Sequence, residues 1–294
     1  MPQKMFVSGF TFIRNAVKLD YPIVEAIQSV LPLCDEFVVA LGNSEDDTRG
    51  LIQGIGDPKI RIIDTVWDDH LRIGGQVLAI ETNKALDAIS KQADWAIYIQ
   101  GDECLYEQDY DQLRSTMLKW KDDPAVEGLL FDYLHFYGSF DYIANSRNWY
   151  RKEIRIVKPR PGVRSYKDAQ GFRVDGRKLN VKPAHAKVYH YGWVRHPKYQ
   201  MAKQLEANKF WHDDAWIEQR FDPSTQFDYS RIDSLAHFKG SHPKVMQPRI
   251  SSMNWEFSTD PTQKKFGFKN LILHKLEDLT GWRPGEYRNY RLLP

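Results

Sequence analysis

The sequence predicts an α/β fold: a mostly parallel sheet with helices on both faces, followed by an aromatic-rich C-terminal extension. Three observations predict it. Short apolar runs rich in β-branched and aromatic residues recur up to Tyr137, each about as long as a buried strand. Amphipathic helical patterns separate these runs. A polar cluster follows the first, second and fourth runs directly, as expected where the strands of a parallel sheet end in loops.

Met5 to Ile13 is the first strand. Pro22 opens a helix whose apolar positions Ile23, Ala26, Ile27 and Val30 share one face. Glu36 to Leu41 is the second strand. Ser44, three residues before Asp47, suggests a capping-box start for a helix reaching about Ile55. Lys59 to Asp64 is the third strand, a long helix covers Gln76 to about Gln92, and Trp95 to Gln100 is the fourth strand. Tyr110, Leu113, Met117 and Trp120 mark an amphipathic helix, and Gly128 to Tyr137 a fifth strand. The rhythm then breaks. Strand-like pieces at Trp149–Val157 and Lys187–Tyr191 flank a polar loop from Pro159 to Pro183. A helix is expected from His196 to about Asp213 and another near Leu271–Leu279. Residues 1–195 therefore read as one domain and 196–294 as an extension packed on it.

The 41 basic and 39 acidic residues nearly cancel, so no global field selects nucleic acid as a partner. The stretch 147–177 is locally basic and suits an anionic ligand, the face of an anionic membrane, or simply solvent. Cys34 and Cys104 are the only cysteines, which excludes a disulfide framework and a four-cysteine zinc site. With no signal-peptide core and no run of about 18 apolar residues, the chain reads as cytoplasmic.

Chemistry is expected beyond the carboxyl ends of the strands. Arg14 and Asn15 follow the first strand, Asn43 and Asp46 belong to the cluster after the second, and Gln100 and Asp102 follow the fourth. Asp102 can hold a hard divalent cation against substrate phosphates, or can cap the following turn, as can Glu103. Asp46 and Asp47 fit the first turn of a helix equally well as structural residues. Arg14 and Asn15 can reach a phosphate or nucleoside, or can simply finish the strand. His190, in Tyr189-His-Tyr-Gly-Trp193, can complete a metal site, with His185 and His196 as competitors. Asp168 is a candidate general base for an acceptor hydroxyl, although Asp is also a common turn residue.

Taken together, Phe12-Ile-Arg-Asn15, Asn43-Ser-Glu-Asp-Asp-Thr48 and Gln100-Gly-Asp-Glu103 resemble glycosyltransferase family 2 with its GT-A fold, over roughly residues 5 to 195. The resemblance implies inverting transfer of a sugar from a nucleotide-diphosphate donor to a hydroxyl of a glycan or lipid-linked acceptor. It implies Mg²⁺ or Mn²⁺ at Asp102 and His190, donor contacts from Arg14, Asn15, Asn43, Asp46 and Gln100, and Asp168 as the base. The family often carries Asp at the end of the second strand, where this chain has Leu41-Gly42. The first acid of its Asp-x-Asp pair is Gln100 here, which can hydrogen-bond a ribose hydroxyl but adds no charge. Two rivals are a nucleotide- or carbohydrate-binding protein without turnover and a glycoside hydrolase, which needs two carboxyls flanking one bond.

Overall fold

The computed structural model describes residues 5–294. β1 (Val7–Ile13), α1 (Ile23–Gln28), β2 (Glu36–Leu41), α2 (Thr48–Gln53), β3 (Ile60–Asp64), α3 (Gln76–Ala88) and β4 (Trp95–Tyr98) alternate as expected. A short β5 (Glu103–Leu105) leads into α4 (Tyr110–Trp120) and β6 (Gly128–Tyr137), which turns back as β7 (Ser139–Ala144). Next come β8 (Lys152–Val157), β9 (Val163–Tyr166), β10 (Gly171–Val174), β11 (Arg177–Lys178) and the long β12 (Asn180–Trp193). The last part holds α5 (Pro197–Asn208), α6 (Asp214–Glu218), β13 (Leu235–His237), α7 (Gln247–Ser251), α8 (Phe268–Thr280) and β14 (Arg291–Leu292).

In the main sheet β3, β2, β1 and β4 lie side by side and parallel. β8 follows, antiparallel to both β4 and β6, so β6 runs in the sense of β4. β12 then pairs parallel with β6. The sheet is thus mostly parallel, with β8 reversed in its middle, in keeping with the GT-A-like expectation. Both faces are covered, which is why β1 and β2 read as nearly unbroken apolar runs rather than alternating ones. Ile23 and Ile27 of α1, Ile52 of α2, and Leu113 and Met117 of α4 pack on one face with Phe37, Val39 and Ile97. Ala85 and Leu86 of α3 cover the other face with Phe10, Val38 and Tyr98.

Three local expectations are corrected. The stretch Pro159–Pro183 is not a loop: β9, β10 and β11 form a separate antiparallel sheet and β12 begins at Asn180. Val163, Phe172 and Val174 join the second core face, while buried Arg173 hides their pattern by donating to the Asn289 carbonyl at 2.8 Å. The helix expected from Ser44 starts at Thr48, where the Asp47 carboxylate accepts the Gly50 N–H at 2.9 Å. Helix α3 stops at Ala88, with Ile89 already extended.

The basic stretch is largely balanced from within. Arg147 pairs with Glu277 at 3.1 Å, Arg151 with Glu286 at 2.8 Å, and Arg164 with Asp87 at 2.5 Å. Residues 196–294 do more than cover the domain: β13 pairs with β7, β14 pairs with β12, and α5 reaches the sheet's carboxyl edge. Among the described residues, no helix is long and apolar enough to cross a membrane.

Glu153 of β8 is buried and its Oε2 has no hydrogen-bond partner among the described residues. Burial raises its pKa to about 7, against the opposing pull of Arg155. Because the folded pKa lies above the ordinary one, this group's contribution is present at low pH and lost as pH rises through about 7. The resulting penalty at higher pH is on the order of 3 kcal/mol. We expect Glu153→Gln to raise the melting temperature near pH 8 and barely alter it near pH 4.5. Equal shifts at both values would show that the carboxyl is not protonated in the fold.

Candidate functional site

A cavity of about 440 Å³ opens beyond the carboxyl ends of β1 and β4. Arg14 and Asn15 line it after β1, Glu45 after β2, Trp67, Asp68, Asp69, Leu71 and Arg72 after β3, and Gln100 to Asp102 after β4. The second half of α5 and the residues just beyond close it with Lys203, Glu206, Phe210 and Trp211. Three of the polar clusters singled out in the sequence therefore share one cleft.

The cleft is shaped by side chains that hold backbone. Asn15 adopts φ 55°, is buried, and accepts the Glu45 N–H at 2.7 Å, while its own N–H donates to the Ser44 hydroxyl at 3.0 Å. Asp46 accepts the N–H groups of Lys18 at 2.6 Å and Thr48 at 3.0 Å. Asn43 accepts the Trp67 N–H at 3.2 Å. Asn43 and Asp46 are thus committed to the loops rather than to the cavity wall. Arg14 lines the cavity, pairs with Asp69 at 2.5 Å and lies 5.6 Å over the Trp67 ring. That contact holds the Asp69 carboxyl below its usual pKa.

The turn after β4 separates two neighbouring carboxylates. Glu103 turns inward, where Arg155 grips it through Nε and Nη2, both at 2.8 Å, and the Tyr133 hydroxyl donates at 2.8 Å. Asp102 points the other way, into the floor of the cleft. The Gln100 amide nitrogen donates to the Tyr98 hydroxyl and the Ala169 carbonyl, both at 3.3 Å, while Oε1 has no partner among the described residues.

β12 brings His190 to Asp102. The Tyr191 N–H donates to the Asp102 carbonyl at 2.7 Å, and His190 Nε2 lies 3.8 Å from Asp102 Oδ1. Lys203 Nζ donates to Asp102 Oδ2 and to the Gly192 carbonyl, each at 2.8 Å. Burial opposes the ionised form of Asp102, but the neighbouring Lys203 and Arg195 cations hold its pKa far below the ordinary value. Burial lowers Lys203 to about 8 and His190 to about 4. Arg195 is fully buried; Nη1 donates to the Leu19 carbonyl at 2.9 Å, whereas Nε and Nη2 have no partner among the described residues.

A divalent ion fits between Asp102 and His190. With ligand distances of about 2.0–2.2 Å on each side, a bent bridge spans the observed gap. Gly192 keeps that space open, since a Cβ there would fall 2.5 Å from His190 Nε2 and 2.9 Å from Asp102 Oδ2. Among the described residues no group of three or more His, Cys, Asp or Glu gathers as a metal cage, so further ligands would come from phosphate oxygens or water.

Of the competing histidines, His185 is exposed on the far part of β12, and His196 caps α5 by accepting the Lys198 N–H at 3.2 Å. Asp168 sits at the tip of the β9–β10 hairpin, outside the cavity lining. A Cβ on Gly75 would lie 2.8 Å both from the Asp168 Cβ and from the ring of Trp211, which places Asp168 beside the cavity mouth. Lys203, Gly192, Arg195 and Trp67 were not foreseen. Only Trp67 had a local signal, its place just after the third strand.

No protein-family model and no curated protein matches the chain. Among solved structures it is similar to a glucosyl-3-phosphoglycerate synthase from Mycobacterium tuberculosis, in complex with Mn²⁺, UDP and phosphoglyceric acid. Identity there is 21%, with 45% of this chain and 43% of that chain covered and a TM-score of 0.30. It is also similar to a mannosyl-3-phosphoglycerate synthase from Rubrobacter xylanophilus, with 20% identity, coverage of 49% and 43%, and a TM-score of 0.30. A 4-diphosphocytidyl-2C-methyl-D-erythritol synthase from Anaerococcus prevotii matches at 12% identity, with coverage of 76% and 87% and a TM-score of 0.31. The chain spans less than half the length of the two phosphoglycerate synthases.

The role of Gly192 is open to a test that needs no ligand. Gly192→Ala should cost on the order of 1–3 kcal/mol through overpacking. Adding His190→Ala should recover part of that loss, because the crowding is against the His190 ring. Strictly additive effects in denaturant unfolding would contradict this packing.

Proposed function

We propose that the protein is a glycosyltransferase of the GT-A type, moving a sugar from a nucleotide-diphosphate donor to a hydroxyl of a glycan or lipid-linked acceptor. The observation that carries the reading is the facing pair on the cleft floor, Asp102 and the Nε2 atom of His190, 3.8 Å apart and kept clear by Gly192. These two residues would hold Mg²⁺ or Mn²⁺, whose charge would stabilise the departing diphosphate.

The chain's own groups suit the rest of the task. Lys203 and Arg195 make the floor positive and favour phosphate oxygens. Gln100 Oε1 is free to accept from a ribose hydroxyl, and Trp67, carrying Arg14 over its ring, offers an aromatic wall. Asp168, beside Trp211 at the mouth, is the proposed base. It would take the proton of the acceptor hydroxyl as that oxygen forms its bond to the anomeric carbon and the nucleotide diphosphate leaves, inverting the configuration. Glu103, turned away and tied to Arg155, provides no second acid beside Asp102, which argues against a hydrolase built on that pair.

A thermal-shift screen of UDP-, GDP-, dTDP- and CMP-linked sugars, with and without Mn²⁺, tests the reading. At about 100 times its dissociation constant, the correct donor should stabilise the fold by about 2.7 kcal/mol. Asp102→Ala should remove the Mn²⁺-dependent part of that shift, read against its own ligand-free melting temperature, which should fall because buried Lys203 and Arg195 lose their counter-charge. A parent that responds to no nucleotide-sugar, or an Asp102→Ala protein that responds as fully as the parent, would refute the proposal.

A further inference from the structure

His135 of β6 lies directly behind His190, and the hydrogen bonds between them fix where the protons sit. The two residues face each other in the β6–β12 register, with Nδ1 to Nδ1 at 3.0 Å. The other nitrogen of His135, Nε2, lies 2.7 Å from the Tyr150 carbonyl. A carbonyl only accepts, so His135 Nε2 carries the hydrogen. The His135 ring is 3% exposed and is packed by Tyr133, Trp149 and Tyr150, with centroids at 5.4, 5.1 and 4.5 Å. No carboxylate contacts it among the described residues, so nothing compensates a second proton there.

A neutral ring has one N–H, and His135 has committed it to Tyr150. Its Nδ1 is therefore an acceptor, and the hydrogen shared between the two rings belongs to His190 Nδ1. Neutral His190 is left with a bare lone pair on Nε2, the atom that faces Asp102. A lone pair opposite a carboxylate oxygen is repulsive until a cation lies between them.

We propose that His135 is a positioning residue that fixes His190 as the tautomer whose Nε2 lone pair faces Asp102, the form able to ligate a divalent cation. The second half of this statement rests on the reading of Asp102 and His190 as the ion's ligands. The first half does not. A partner that orients a metal-binding imidazole in this way commonly affects affinity strongly.

The test uses two variants of the full chain. His135→Phe keeps the aromatic packing and removes the acceptor; His135→Asn keeps a side-chain oxygen near the Nδ1 position and an N–H donor. Nitrogen-15 NMR on metal-free protein reads the His190 tautomer, and paramagnetic resonance titration with Mn²⁺ alone reads the affinity. In the parent and in His135→Asn, His190 should carry its hydrogen on Nδ1; in His135→Phe the population should move to Nε2. Mn²⁺ affinity should fall roughly ten- to hundredfold in His135→Phe and recover in His135→Asn. A parent with hydrogen on Nε2, a tautomer unchanged in His135→Phe, or Mn²⁺ affinity equal in both variants would overturn the proposal. The foreseen tautomers in a parent that binds no Mn²⁺ would instead refute the metal reading and leave the proton assignment standing. Thermal unfolding separates either result from misfolding, and His135→Asn supplies the comparison if the Phe variant is unstable.

Discussion

The site depends on the separation of two adjacent carboxylates at the end of β4. Glu103 is held inside by a two-point grip from Arg155, with both side chains fully buried. A buried ion pair of this kind contributes little net stability, since desolvation offsets most of the attraction, but either partner alone would be strongly unfavourable. The pair therefore acts mainly as a geometric lock. With Glu103 anchored inward, Asp102 is directed outward, and the Asp102 carbonyl receives the Tyr191 N–H that aligns β12 behind it. His190, Gly192 and the Lys203 contact all follow from that alignment.

The electrostatics of the floor explain why an acid placed there stays ionised. Asp102 is 7% exposed, and burial alone would favour its neutral form. Lys203 and Arg195 outweigh burial, and Arg195 brings a buried charge that no carboxylate pairs with directly among the described residues. Around Asp102 the floor carries two cations, Lys203 lining the cleft and Arg195 fully buried behind it, while Glu45, Asp68, Asp69 and Glu206 line its walls. Such a floor suits a ligand that brings several negative oxygens, and a divalent ion entering beside Asp102 would strengthen that preference. Lys203 already neutralises one Asp102 oxygen, so the ion would share the carboxylate with the ammonium.

The sequence made the framework legible where function demands continuous burial. The runs that became β1, β2 and β4 are apolar because helices cover both faces, and Asp102 was visible because it directly follows one of them. Legibility ended where a residue's role is set by a distant partner. Asn43 and Asp46 looked like ligand contacts, yet they accept the backbone N–H groups of Trp67 and of Lys18 and Thr48. The segment after Pro159 reads as a loop because it is polar and contains Gly and Pro; its strands emerge only with distant partners such as the Asn289 carbonyl that receives Arg173. Lys203 carries no local mark at all: its meaning comes from contact with a carboxylate 101 residues earlier. His135 stood inside a predicted strand, where a single histidine conveys nothing until the facing ring on β12 is known.

The most direct measurement is a crystal structure of the protein with a nucleoside diphosphate and Mn²⁺. The account predicts manganese bound by Asp102 Oδ1 and His190 Nε2, completed by oxygens of the diphosphate, with the nucleoside against Trp67 and Gln100. A nucleotide bound elsewhere, or bound in this cleft with manganese away from both side chains, would contradict it.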